Sequence, residues 1–485
     1  MDQDPHAQIE DAPAEQRFAR LSHAFGWAVI LYLFVFALRF AQERLYGDSS
    51  YYLLRVINER WFHIEHGRWV LAFAELLPLA GTWTGLNMHA LIAFHSINNV
   101  VLLALSYFLV AHVLKDVYAG LALALVHLIG LTHGLFCPVF ELYYGVDLLI
   151  VFWAVQRSRV TGGWPWIAAM ALLFLGAISS HFLGLLLALM LLPLIGFRWN
   201  VRLLLGLLAV LIGHLVLHML TLSAYERNAL EFLDKLRHPS EVIGLFSPHV
   251  LREMFHYTLR HYPDVLALAF ITSAGIFRKH GPLRALLFIG GGLVLYVLIS
   301  LFLPGTEHDR YREQVNFVVV AWVLIVCCLL LLPQVRFRMV LLAAFVIIIA
   351  FRVERAERIS SMYAARTAWH TERIAAARAQ GLHKGIVGAG AQFGTAEDHV
   401  DLSWSTSVES MLLSAQDGLE HCVSLITTDD VRYGDVAQHL DRYVHRRWEI
   451  EDPAYLNAAY FHLPAARYVP MDSAAYATMD GIAHR

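Results

Sequence analysis

Long apolar runs alternate with short polar, arginine-bearing links over the first 350 or so residues, and beyond them the pattern changes to a mixed polar one. A helix that crosses a bilayer needs roughly 20 apolar residues, and fewer where neighbouring helices shield it. By that rule about eleven runs qualify, near 24–42, 87–112, 118–136, 144–157, 165–179, 181–196, 201–222, 262–277, 283–303, 315–333 and 337–352. Ser179, Ser180 and His181 interrupt the stretch 165–196, which is too long for one helix and short for two. One or two spans there decide on which side everything downstream emerges.

Basic residues orient the spans, because Lys and Arg concentrate in short cytoplasmic loops. With residues 1–23 placed inside, four consecutive short loops agree: Arg157 and Arg159, Arg198 and Arg202, Arg278 with Lys279 and Arg284, Arg336 and Arg338. The opposite side then receives loops 43–86, 223–261 and 304–314 and the tail 353–485. The expected location is a bacterial inner membrane, with the N-terminus cytoplasmic and the tail extracytoplasmic.

Within 43–86, apolar residues recur at helical spacing with charges between them, which predicts two amphipathic helices lying on the membrane surface. After 352, VERAERISSMYAARTAWHTERIAAARAQG favours a helix that extends the last span outward and ends at Gly381. A small mixed domain follows, with strands expected at Gly385–Gly388 and Cys422–Thr427 and a helix at Ser407–Ser414. The run IVGAGAQFG lacks the spacing of a dinucleotide loop, and no strand–helix–strand unit with a distal acid is expected after it. The predicted fold is therefore an all-α polytopic membrane domain, 24–352, followed by a small soluble α/β domain.

Composition narrows the function. With 58% hydrophobic and only 16% charged residues the chain is no ordinary soluble protein, and a net charge of −3 without a basic stripe argues against nucleic acid as a partner. The cysteines are Cys137, Cys327, Cys328 and Cys422; two are adjacent in an apolar run, so neither a disulfide framework nor a cysteine metal site is implied. Among the 26 histidines, His63/His66 and His214/His218 have helical spacing for metal ligands, but neither pair carries a zincin glutamate. A divalent cation stays open as a cofactor.

The densest chemistry lies in RLYGDSSYYLLRVINERWFHIEHGRW, just after the first span. Asp48 with Ser49 and Ser50 fits a helix cap. It equally fits a partly buried general base, with Tyr51 and Tyr52 beside it. Glu65, His66 and Arg68 follow in the same loop. Glu141 and Asp147 in FCPVFELYYGVDLL are carboxylates in or near the bilayer, a costly placement that marks functional candidates. His181 stands at a span end, where it serves a phosphate, a proton or only the local fold. In PGTEHDRYREQ, Arg310 and Arg312 suit bidentate grip of a phosphate, or else neutralise Glu307, Asp309 and Glu313. The stretch WSTSVESMLL has a helix-start pattern and reads as structural.

An acid directly after the first span, juxtamembrane helices in the first outer loop and a series of short spans together resemble the GT-C superfamily of membrane glycosyltransferases. GDSSYYL is similar to the Gly-Asp-(acidic)-x-Tyr-Tyr signature of its mannosyl- and aminoarabinosyltransferase branches, with Ser49 where a second acid is common. The resemblance implies a polyprenyl-phosphate sugar as lipid-linked donor, Asp48 as catalytic base, Glu141 as a supporting acid, and a glycan, lipid or protein acceptor roofed by the tail. The rival expectation is a transporter or non-catalytic assembly protein with Asn98, Asn99 and in-membrane His and Asp residues along a pathway. No inverted repeat supports transport.

Overall fold

The computed structural model describes residues 7–158, 163–196, 201–222, 227, 237–302, 309–395, 398–433 and 435–483. The helices of the apolar part are α1 (Ala7–Arg39), α2 (Asp48–Glu59), α3 (Leu71–Ala74), α4 (Leu76–Trp83), α5 (Met88–Tyr107), α6 (Val117–Val126), α7 (Glu141–Arg157), α8 (Trp164–Ile178), α9 (Phe182–Ile195), α10 (Val201–Leu220), α11 (Pro239–Gly244), α12 (Pro248–His261), α13 (Pro263–His280), α14 (Pro282–Phe302), α15 (Asp309–Val326) and α16 (Arg338–Ala379). Among the described residues five helices are long and apolar enough to cross a membrane: Pro13–Arg39, Met88–Val113, Val201–Leu220, Pro282–Leu301 and Tyr311–Gln334. Exposed Leu205, Met219 and Leu220 on α10 and Leu286 and Ile289 on α14 turn apolar surface outward, which suits hydrocarbon and not water.

Two sequence expectations need correction, and the polar segment before the first span, read only as a cytoplasmic tail, is helical from Ala7 onward and continuous with α1. The run 118–136 is not one helix: α6 stops at Val126, and a short 3-10 turn follows at His133–Phe136. Polar demands break it. His127 Nε2 meets Asp147 Oδ1 at 2.7 Å, and the N–H groups of Thr132 and Gly134 donate to Glu313 Oε1 at 2.6 and 2.8 Å. Secondly, α2 does not leave its apolar face free as a surface-lying amphipathic helix would, because the tail domain covers it. Leu53, Leu54 and Ile57 of α2 share a core with Val408, Met411, Leu412 and Leu463.

The stretch 165–196 forms two helices. Ser180 Oγ donates to Ala177 O, and His181 Nδ1 accepts the Leu183 N–H at 3.1 Å to cap α9. Small residues let this turn approach α7 closely: a Cβ added at Gly145 would lie 2.2 Å from Ser180 Oγ, and one at Gly184 2.6 Å from the same atom. Gly145→Val is accordingly expected to cost about 1–3 kcal/mol by overpacking, measurable as a lowered melting temperature of the detergent-solubilised protein.

Helix α16 runs 42 residues into the tail and ends before Gly381, whose φ of +67° reverses the chain. The tail contains β1 (Lys384–Val387), β2 (Gln392–Gly394), β3 (His399–Asp401), α17 (Thr406–Ser414), β4 (Ser424–Thr427), α18 (Thr428–Val431), β5 (Tyr443–Arg446), β6 (Glu449–Glu451), β7 (Val469–Pro470) and α19 (Ser473–Ala483). Strands β1 and β4 and the intervening α17 match the expected elements within two residues. They also correct one expectation, since β4 and β7 both pair parallel with β1, in the order β4-β1-β7, so a strand–helix–strand crossover does follow IVGAGAQFG. Ile386 and Ile426 pack with Val431, Val436 and Ala475 on one face of the sheet; Val423 and Leu425 pack with Ile374 and Ala377 of α16 on the other.

Candidate functional site

Gly47 makes the site possible. It stands at the N-cap of α2 with φ +61° and ψ −127°, backbone that a side chain would strain, and no side chain caps the helix. Asp48 is thus the first helical residue and not the cap. Among the described residues no hydrogen bond holds its carboxylate. Ser49, where a second acid was looked for, bonds His95 of α5 through its Oγ at 2.8 Å, and Ser50 Oγ donates to Gly47 O at 2.9 Å.

Around Asp48 the structure gathers residues of three regions. From the first loop come Tyr51, Tyr52, Glu65, His66 and Arg68. His66 (φ +55°) and Gly67 (φ +63°) make the left-handed turn that brings Arg68 onto Glu141, the first residue of α7, in an ion pair. His181, at the start of α9, lies 6.5 Å from the Phe140 ring. From the tail comes Arg446 at the end of β5, whose guanidinium donates to Tyr51 Oη at 2.7 Å and Glu65 Oε1 at 3.1 Å and sits over the Tyr51 ring. Tyr51 Oη also donates to Glu65. Alongside, Arg55 meets Tyr455 Oη at 2.5 Å and pairs with Glu449, and the His445 ring lies 5.0 Å from that of Tyr51.

Electrostatics separate the carboxylates. Burial, with the charges of Glu141 and Glu65, pushes Asp48 up to about 6 against the opposing pull of Arg68 and Arg446. Glu65 goes the other way: burial raises it, but hydrogen bonds from His63 and Tyr51 and the charge of Arg446 outweigh that and hold it below the usual carboxylate range. His63 feels burial too, yet its bonds to Glu59 and Glu65 lift it to about 9, so it is a cation at neutral pH. Glu75, buried at the α3–α4 junction and accepting the His63 N–H at 2.7 Å, is driven to about 8 by burial. One carboxyl poised near 6 beside one firmly ionised is the division of states that proton-transfer chemistry uses.

Eight sequence candidates therefore belong to one neighbourhood: Asp48, Tyr51, Tyr52, Glu65, His66, Arg68, Glu141 and His181. For His181, the Nδ1 is committed to capping α9, which leaves Nε2 for chemistry. Arg312 goes elsewhere: its guanidinium is buried over the Tyr257 ring of α12, 5.1 Å from the centroid. The side chain of Arg310 and residues 303–308 lie outside the described residues, as do 223–226 and 228–236 of the outer loop. Asp147 sits inside the bundle against His127. His214 and His218 stack on each other, 5.8 Å apart. Among the described residues no group of three His, Cys, Asp or Glu is arranged to hold a metal ion. Sequence reasoning missed Arg446, Glu449 and Tyr455, for which the charged run HRRWEIE was the only local hint.

No protein family, curated protein or solved structure matches the chain.

Proposed function

We propose that the protein is a membrane glycosyltransferase of the GT-C kind, moving a sugar from a polyprenyl-phosphate donor to an extracytoplasmic glycan, lipid or protein acceptor. The observation that carries the proposal is the Asp48 carboxylate: unspent on capping, raised to about 6, and set beside a second acid and two arginines. In this scheme the acceptor hydroxyl attacks the anomeric carbon and its proton passes to Asp48. The bond from that carbon to the phosphate oxygen breaks, and polyprenyl phosphate leaves with the electron pair. Arg68 and Arg446 are the cations within electrostatic reach of Asp48, and fixed positive charge near a developing phosphate dianion lowers the barrier. Eleven crossings, with the broken 118–136 stretch counted as one, a cytoplasmic N-terminus in a bacterial inner membrane and an outward-facing tail complete the proposal.

The test uses proteoliposomes loaded with radiolabelled polyprenyl-phosphate hexoses and pentoses and a membrane glycan extract as acceptor. One donor is expected to lose its sugar and leave free polyprenyl phosphate. Because the base acts ionised, the rate falls as pH drops through about 6, where Asp48 takes up its proton, and is full above it. Consumption of no donor at any pH overturns the proposal.

A transport reading has one specific observation behind it, the buried His127–Asp147 pair at 2.7 Å within the bundle. Buried ionisable pairs of this kind relay protons in membrane carriers. Proton flux into the same vesicles that is lost on Asp147→Asn would favour it.

A further inference from the structure

We propose that Glu409, 361 residues after Asp48 in the chain, is a positioning residue that sets Asp48 for proton transfer by gripping the Gly47 peptide from the tail domain. The inference rests on the general-base reading of Asp48.

Four segments meet at this carboxylate. Its Oε1 accepts from the Gly47 N–H at 3.2 Å, from Ser405 Oγ at 2.9 Å and from Ser403 Oγ. Its Oε2 pairs with Arg366 of α16, and His370 Nε2 lies 3.6 Å away. The Gly47 carbonyl is within hydrogen-bond distance of Ser405 Oγ, at 3.0 Å, and of Ser50 Oγ, and these hydroxyls lie 3.0 Å apart, so their two protons are shared among this carbonyl, Glu409 and each other. Arg366 closes the group by lying over the Tyr46 ring. Glu409, Arg366, Ser405, Ser50 and His370 are all at most 2% exposed.

A helix N-terminus needs no such apparatus. The first turn of α2 has no side-chain cap, and an ordinary Ser or Asp at position 47 would supply one locally. Here the chain places a glycine in a conformation few other residues tolerate and fixes both of its polar backbone atoms from a different domain. Asp48 is the next residue, so the direction of its Cα–Cβ bond follows from that peptide. The charges of Glu141 of α7, Glu65 and Arg68 of the first loop and Arg446 of the tail act on its carboxylate, and its own charge acts on Tyr52. Loosening the Gly47 peptide frees Asp48 to leave that company. A buried ion pair is weak evidence of stabilisation by itself; its attachment to the one turn that carries the base gives it a job in the site.

The experiment reads Asp48 directly. The full-length protein in lipid nanodiscs is treated with a water-soluble carbodiimide and glycine ethyl ester, which modify protonated carboxyls, and labelling at positions 48 and 372 is followed by peptide mass spectrometry across pH 4 to 8. Exposed Glu372 on α16 is the internal reference. The variants are Ser405→Ala, which deletes the hydroxyl joining Gly47 O to Glu409 but keeps the Arg366 ion pair, and Glu409→Gln, which keeps an acceptor for Gly47. In the wild-type protein Asp48 is expected to reach half-labelling near pH 6. Ser405→Ala moves it down by about one pH unit toward the ordinary carboxylate range, with Glu372 unchanged, and Glu409→Gln moves it less. Identical Asp48 profiles in wild type and both variants overturn the positioning role while leaving the base intact. Parallel shifts at 48 and 372 overturn it too, as the mark of general loosening. If wild-type Asp48 labels like Glu372, the general-base reading fails, and the inference with it.

Discussion

Replacing Asp48 with asparagine is expected to slow sugar transfer by about 10²- to 10⁴-fold while the protein stays folded and in the membrane. The substitution keeps the shape of the side chain and removes only its capacity to take a proton. It distinguishes a base from a structural residue, because asparagine is as good a helix cap as aspartate. The structure assigns the cap position to Gly47 and, among the described residues, gives the Asp48 carboxylate no hydrogen bond to lose. Expression and monodispersity should therefore match wild type. The comparison requires single-turnover rates in proteoliposomes, since a slow product-release step would mask the chemical one. Wild-type rates in Asp48→Asn would rule out the base.

The second large effect concerns the bundle and not the site. Arg352 of α16, 1% exposed, makes a two-pronged pair with Asp264 at the start of α13 and donates to His261 O. Asp264→Ala leaves that guanidinium buried without its counter-charge, and the expected loss is about 3–5 kcal/mol. Fluorescence-detected gel filtration after a heat ramp should show aggregation at clearly lower temperature. The double variant Asp264→Leu/Arg352→Met, which removes both charges, is expected to recover most of the loss, because replacing a buried pair by apolar groups is often nearly neutral. A double variant as fragile as the single one would mean that Arg352 supports the fold through its contacts with Tyr262 and His261 instead.

Much of this architecture was legible in the sequence wherever the signal was local. The break at Ser179–His181 separated α8 from α9, and the helix-favouring stretch after 352 carried α16 to its glycine stop. Strands β1 and β4 and helix α17 lay where β-branched and apolar runs alternate with turn residues. Asp48, Glu65, Arg68 and Glu141 could be brought together because they cluster near the ends of spans that adjoin in space. What the sequence concealed is of two kinds. Where a polar side chain finds a distant partner, as His127 does with Asp147, hydropathy alone cannot tell a helix from a broken one, and 118–136 was read as a single span. And where the site is completed from far along the chain, by Arg446 and Glu409, no spacing rule reports it. The Ser403–Glu409 stretch read as an ordinary helix start because its partners, Gly47 and Arg366, lie on other segments. Arg312 carried the correct chemistry for a phosphate, but its side chain turned inward over Tyr257.

The long helix α16 adds a mechanical consequence. Forty-two residues at 1.5 Å each make a rod of about 60 Å, unbroken by proline or glycine along its length. Its first turns lie among the apolar helices and its last ones under the tail sheet. It acts as a ruler that fixes where the tail sheet stands relative to the apolar helices. One extra helical residue would swing the tail by about 100° and pull Arg446 away from Tyr51 and Glu409 away from Gly47 together.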